Sequence, residues 1–134
     1  MDMAKVNEQV IERFRAGVDP EGMHRDRMLL LTTTGRRSGR RRTTPMMALR
    51  DGDRLLVVAS ANAAPRHPAW LRNLQADPHA HVEAPDGEFD AVAEVLTGEE
   101  RARAWSVVTA QAPFFDDHQA KVDREIPVVA LVAT

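Results

Sequence analysis

Apolar and polar positions alternate with two different periods along the chain, and the changes of period mark out its elements. From Met3 to Ala16 the residues Val6, Val10, Ile11 and Phe14 recur at helical spacing, which predicts an amphipathic N-terminal helix within residues 1–17, ended by Gly17 and Asp19-Pro20. Met28 to Thr34 (MLLLTTT) reads as a strand that Gly35 breaks. Thr43 to Arg50 reads as the returning strand, and Arg54 to Ser60 (RLLVVAS) follows across the tight-turn dipeptide Asp51-Gly52. The three runs are expected to form a meander.

The period then returns to that of a helix. Pro68 suits a first turn, Trp70, Leu71 and Leu74 share a face, and Asp77-Pro78 stops the segment. His79 to Ala84 and Glu88 to Leu96 predict a hairpin turned by Pro85-Asp86-Gly87, with Phe89, Ala91, Ala93 and Val95 on one face. Thr97-Gly98-Glu99-Glu100 has the form of a capping box and opens a helix to about Gln111, which Pro113 breaks. A further helical stretch is expected over Phe114 to Asp123, and Ile126 to Val132 is a closing apolar strand. The expected fold class is α+β: an antiparallel sheet of about six strands with an N-terminal helix and flanking helices, residues 1–134 forming one domain. That many strands in so short a chain should curl into a barrel, which removes exposed edges.

Composition narrows the partners. The mixture of 43% hydrophobic and 28% charged residues is that of a globular chain, not a disordered one. No apolar run approaches the roughly 20 residues of a membrane helix, and the N-terminus lacks a signal-peptide pattern, so cytoplasm is the expected address. A peripheral membrane contact and a homodimer both stay open. The chain has no cysteine, which excludes disulfides and thiolate chemistry.

The net charge of −2 argues against a nucleic-acid partner, yet Arg36, Arg37, Arg40, Arg41 and Arg42 stand close together on an otherwise acidic chain. The absence of tyrosine leaves little for base stacking. Gly35 and Gly39 permit positive φ, so main-chain amides of this loop can turn inward as an anion-binding nest. Guanidinium forks and the hydroxyls of Ser38 and the flanking threonines match phosphate or carboxylate oxygens. A solvated hairpin loop is the plain alternative. His79 and His81 share a strand face but lack a third ligand, so no metal is expected. Asp123-Arg124 reads as a structural pair.

Four stretches, LLLTTTGRRSGRRRTTPMMALRDGDRLLVVAS, APRHPAWLRNLQADP, TGEERARAW and DREIPVVAL, resemble in order and spacing the deazaflavin (coenzyme F420)-dependent nitroreductase family, of nitroreductase and quinone reductase type. The resemblance covers nearly everything from Met28 onward. It implies a split β-barrel related to FMN-binding barrels, and coenzyme F420, an 8-hydroxy-5-deazaflavin with a phosphodiester and an oligoglutamate tail. It also implies hydride transfer to a small-molecule electron acceptor such as a quinone, an enone or a nitro compound. FMN or haem is the alternative ligand, and a non-catalytic binding protein the alternative role.

By the same resemblance, Arg36, Arg37, Ser38 and Arg42 match positions that hold the phosphate and tail, and Thr43, Thr44, Pro45, Met46 and Met47 the segment along the ring. Val57, Val58, Ala59 and Ser60 match the strand that floors the ring pocket, and Ala61 after it is a further cofactor-binding candidate. Ala69, Trp70 and Asn73 belong to the covering loop and helix. Ser60 and His118 are the candidate catalytic groups, and Met47, Ala112, Phe115 and His118 the candidate substrate pocket. Two departures stand out. Ala61 occupies a position where relatives often carry lysine, and the tyrosines of the nitroimidazole-reducing member are replaced by Ala112, Phe115 and His118.

Overall fold

The computed structural model describes residues 3–134; residues 1 and 2, which the expected helix over 1–17 includes, lie outside them. Helix α1 covers Met3–Arg15, and β1 (Met28–Thr34) and β2 (Arg41–Met47) form an antiparallel hairpin around the arginine loop. A second hairpin joins β3 (Leu49–Asp51) to β4 (Arg54–Val58). Helix α2 (Ala69–Ala76) precedes the hairpin of β5 (His79–Ala84) and β6 (Gly87–Val95), and α3 (Gly98–Gln111) and α4 (Phe114–Ala120) lead to β7 (Val128–Ala133). The chain is α+β, as expected, with seven strands instead of about six.

The expected meander does not form. The strand order is β2-β1-β5-β6-β7-β4-β3, so the two early hairpins sit at opposite edges of one antiparallel sheet. The run expected as one strand from Thr43 to Arg50 breaks at Ala48, whose amide donates to the Arg27 carbonyl (2.9 Å) instead of continuing a ladder. Strands β2 and β3 are therefore the two edges of the sheet, yet one residue joins them. Successive Cα atoms lie about 3.8 Å apart, so the edges must meet at Ala48, and the sheet has to curl into a barrel. No ladder pairs β2 with β3, which leaves the barrel split along that seam. Pro45 sits in edge strand β2, where a missing N–H costs no ladder bond.

Alternation along the strands sorts the apolar residues into three cores. Leu29 and Leu31 of β1, Leu55 and Val57 of β4, Val82 of β5 and Val129 and Leu131 of β7 fill the barrel, plugged by Trp70, Leu71 and Leu74 of α2. The opposite faces of the same strands are covered outside. Met28 and Leu30 lie under Val10 and Phe14 of α1; Leu56, Val128 and Ala130 lie under Ala104 and Val108 of α3 with Phe115 of α4. This explains the continuous MLLL and LLVV runs, since strands covered on both faces lose the polar alternation. On β6, Ala91 is buried and Phe89 and Ala93 pack on the interior, but Val95 is exposed at the strand end.

The capping box is not made. Thr97 is extended at the N-cap, but no side-chain bond forms, because Gly98 at φ +60° swings the first turn away from its hydroxyl. Helix α4 stops at Ala120, short of Asp123. Helix α1 is held by Phe14, 2% exposed, with the Arg25 guanidinium 4.6 Å over its ring, and by the Arg15–Glu83 ion pair. Phe14→Ala is expected to lower stability by roughly 3–5 kcal/mol in urea unfolding, and a loss under 1 kcal/mol would show that α1 is not docked.

Candidate functional site

The arginine loop is built by its own backbone. Gly35 N–H donates to the Arg40 carbonyl (2.8 Å), and Gly39 N–H to the Gly35 carbonyl (2.9 Å). The Arg40 amide donates to Ser38 Oγ (3.1 Å), and the Arg36 amide to Oδ1 of Asn73 on α2 (3.1 Å). Only Gly39 takes positive φ (+71°). Gly35 is required for another reason: a Cβ there would lie 2.7 Å from Ser38 Oγ and 3.2 Å from the Arg40 carbonyl. The expected nest is smaller than two left-handed glycines would make it, and among the described residues only the Arg37 and Ser38 amides of the loop lack an acceptor.

Asn73 anchors the loop from below. It is 7% exposed, and its Nδ2 donates to Oγ1 of Thr33 (3.1 Å), itself fully buried. Thr32 and Thr43 share a hydroxyl hydrogen bond across the hairpin (2.8 Å). On this frame stand five exposed guanidinium groups. Arg41 donates to Thr34 Oγ1 (3.1 Å), and among the described residues none of the five has a carboxylate within ion-pair distance. A cleft of about 770 Å³ opens beside four of them. It is lined by Arg36, Arg37, Ser38, Arg41, Arg42, Thr43 and Thr44 from the hairpin, Ala69, Trp70 and Asn73 from α2, and Asn7, Glu8 and Ile11 from α1. Packed cations without counter-ions repel one another and favour an anionic guest.

A second feature lies past the end of β4. Ala61, Asn62 and Ala63 all hold positive φ, at 49°, 55° and 61°, a conformation that costs a residue with a Cβ roughly 1–2 kcal/mol each. Arg124 over-determines it. Its Nη1 donates to the Ala59 carbonyl (3.0 Å), Nη2 to that of Ser60 (2.8 Å) and Nε to that of Ala64 (3.0 Å), while Nη1 also reaches His67 Nδ1 (2.9 Å). The Ser60 hydroxyl, 3% exposed, accepts from the Ala63 amide (3.2 Å) and lies 2.6 Å from His118 Nδ1. His118 is half-buried, edge-on to Phe114 and Phe115.

The sequence-predicted residues fall into three groups. Arg36, Arg37, Ser38, Arg42, Thr43, Thr44, Ala69, Trp70 and Asn73 gather at the cleft. Ser60, Ala61 and His118 gather at the turn, and Ala59 and Val58 lead into it. Pro45 and Met46 are half-buried on β2, Met46 against the interior core, and Met47 is exposed. Ala112, the C-cap of α3, and Phe115 of α4 are 4% and 6% exposed and packed in the core under α3, and Phe114 is the exposed ring of α4. His79 is held by Asp77, and His81 by Asp90 and Glu88. Arg124 does not pair with Asp123. Its partners are carbonyls some sixty residues earlier in the chain, a relation that no local pattern announces.

This curled antiparallel sheet with helix-covered faces is a split β-barrel. A model of the F420H(2)-dependent quinone reductases matches residues 4–133, and the chain belongs to that family. An F420H(2)-dependent quinone reductase of Mycobacterium tuberculosis is 37% identical over 106 residues, which are 77% of this chain and 71% of the relative. A solved F420-H2 dependent reductase superposes with a TM-score of 0.73 at 35% identity, over 82% of this chain and 99% of the other. A structure described as a domain-swapped dimer gives 0.76 at 33% identity, over 96% and 98%.

Burial, Arg124 and Arg72 lower the His67 pKa from its ordinary value, so the neutral ring that accepts from Arg124 is the favoured form. The unfolded chain then binds the proton more readily, so this contribution is complete above about pH 6.5 and is lost as pH falls through the lowered value. His81, raised by Asp90 and then Glu88, contributes the opposite slope. Thermal melts from neutral to mildly acidic pH should show the stability gap between wild type and His67→Asn narrowing on acidification. A gap that does not change with pH would contradict this.

Proposed function

We propose that this protein is an F420H(2)-dependent reductase that delivers a hydride and a proton to a quinone in the cytoplasm. The observation that carries the proposal is a cleft of about 770 Å³ lined by the guanidinium groups of Arg36, Arg37, Arg41 and Arg42, none of which has a carboxylate partner among the described residues. That donor set fits a long molecule with an anionic end. When bound, reduced coenzyme F420 supplies a hydride from its deazaflavin ring.

The chain's own residues then have separable roles. Arg36, Arg37 and Arg42, with the free amides of Arg37 and Ser38, hold the phosphodiester and the carboxylate tail, so binding energy gained far from the reacting carbon fixes the geometry at the other end. Asn73 keeps the loop open by engaging its Arg36 amide. Thr43, Thr44 and Trp70 flank the path from the tail towards the ring. At the turn, the half-buried ring of His118 and the buried hydroxyl of Ser60 form a proton path. Ser60 Oγ–H gives its proton to the acceptor oxygen and is reprotonated from His118 Nδ1. Two copies of the chain are expected to associate, since a relative of similar length and fold is a domain-swapped dimer.

Arg37→Ala combined with Arg42→Ala should raise the coenzyme Kd by about 100-fold or more at low salt and flatten its salt dependence. Fluorescence titration reads both, and curves that overlay the wild type would sink the proposal. FMN and haem titrated in parallel test the alternative ligands. His118→Ala should slow quinone reduction by about 100-fold with an unchanged coenzyme Kd; an unaltered rate would remove His118 from the path.

A further inference from the structure

Among the described charged groups outside the cleft, Arg124 alone spends its whole guanidinium on main-chain carbonyls and one imidazole, and every one of those acceptors lies from Ala59 to His67. The consequence for that segment is directional. With the carbonyls of Ala59, Ser60 and Ala64 turned onto the guanidinium, the amides of Ser60, Ala61 and Asn62 have no acceptor among the described residues. Without the clasp, three successive residues with a Cβ would leave positive φ, and the Ser60 hydroxyl would lose its place between the Ala63 amide and His118.

The guanidinium is itself located by its surroundings. Gln119 Nε2 donates to the Arg124 carbonyl (2.8 Å), and Gln119 Oε1 accepts from the Ile126 amide (2.8 Å), next to His118 on the same helix. Through His67 the clasp also reaches the entry to α2, the helix that carries Trp70 and Asn73 into the cleft.

We infer that Arg124 is the positioning residue of the reaction centre. Its hold on the carbonyls of Ala59, Ser60 and Ala64 keeps the Ala61 and Asn62 amides free to bind the polar edge of the deazaflavin ring and places Ser60 Oγ against His118. The inference rests on the function proposed above. It divides the site into a tail end that depends on the arginine loop and a ring end that depends on Arg124.

The test uses Arg124→Ala and Arg124→Lys in the full chain, titrated by fluorescence with coenzyme F420 and with its tail-free chromophore, 8-hydroxy-5-deazariboflavin. Arg124→Ala should weaken both ligands by a similar factor of about 10 or more, with the salt dependence of coenzyme binding unchanged because the loop arginines are intact. Millimolar guanidinium chloride should restore binding where equal urea or sodium chloride does not. Lysine, with one ammonium in place of a planar fork, should restore it only in part.

In the ligand-free protein, the 15N NMR signal of His118 Nδ1 should move on Arg124→Ala. Tail-free chromophore binding as in wild type in either variant, or an unmoved His118 signal, overturns the inference. Failure of the wild type to bind the coenzyme overturns the functional reading instead, and the His118 signal still decides whether Arg124 positions the dyad.

Discussion

The two edges of the sheet are joined by one residue. Because β2 and β3 stand at opposite ends of the strand order with only Ala48 between them, the sheet cannot lie open, and curling follows from chain connectivity as well as from strand twist. Closure fills the inside with apolar side chains, which leaves the rim as the place for polar loops. The hairpin loops, α1 and α2 supply that rim. Strands β2 and β4, distant in sheet order, approach each other across the seam.

The site is held at both ends by polar side chains, one buried and one half-buried. Asn73 bonds the loop backbone and Thr33, and Arg124 bonds the turn backbone. Each is a side chain fixing main chain, which leaves other donors unengaged: guanidinium groups at one end, amides at the other. Preorganisation of this kind puts the cost of holding repelling cations and left-handed residues on folding, before any ligand arrives. The segment from Ala59 through His67 into α2 links the two ends mechanically.

Much of this was legible in the sequence. The helix of α1, the β1 and β5–β6 strands and the arginine loop all follow from period and turn chemistry, because each is decided by neighbours in the chain. Strand order was not, since MLLL and LLVV are apolar on both faces and nothing in such a run names its partner. The capping box failed because Gly98 took positive φ, a choice that Thr97 and Glu100 cannot reveal. Resemblance pointed to Asn73 and Ser60, and the physical reason for each emerged only with the buried bonds to Thr33 and Ala63. Helix α4 presents Phe114 outward and buries Phe115, a rotation that seven residues of helix leave undetermined in sequence. Arg124 gave no local sign at all, because its acceptors are carbonyls, which every residue carries.

The central claim is that the arginine loop recognises the anionic end of a redox coenzyme. The most direct test compares the affinity of the wild-type protein for coenzyme F420 with that for the same chromophore without its tail, each at low and high salt. The account predicts at least about a 100-fold preference for the tailed form at low salt, shrinking as salt rises. Equal affinities, with no dependence on salt, would contradict it.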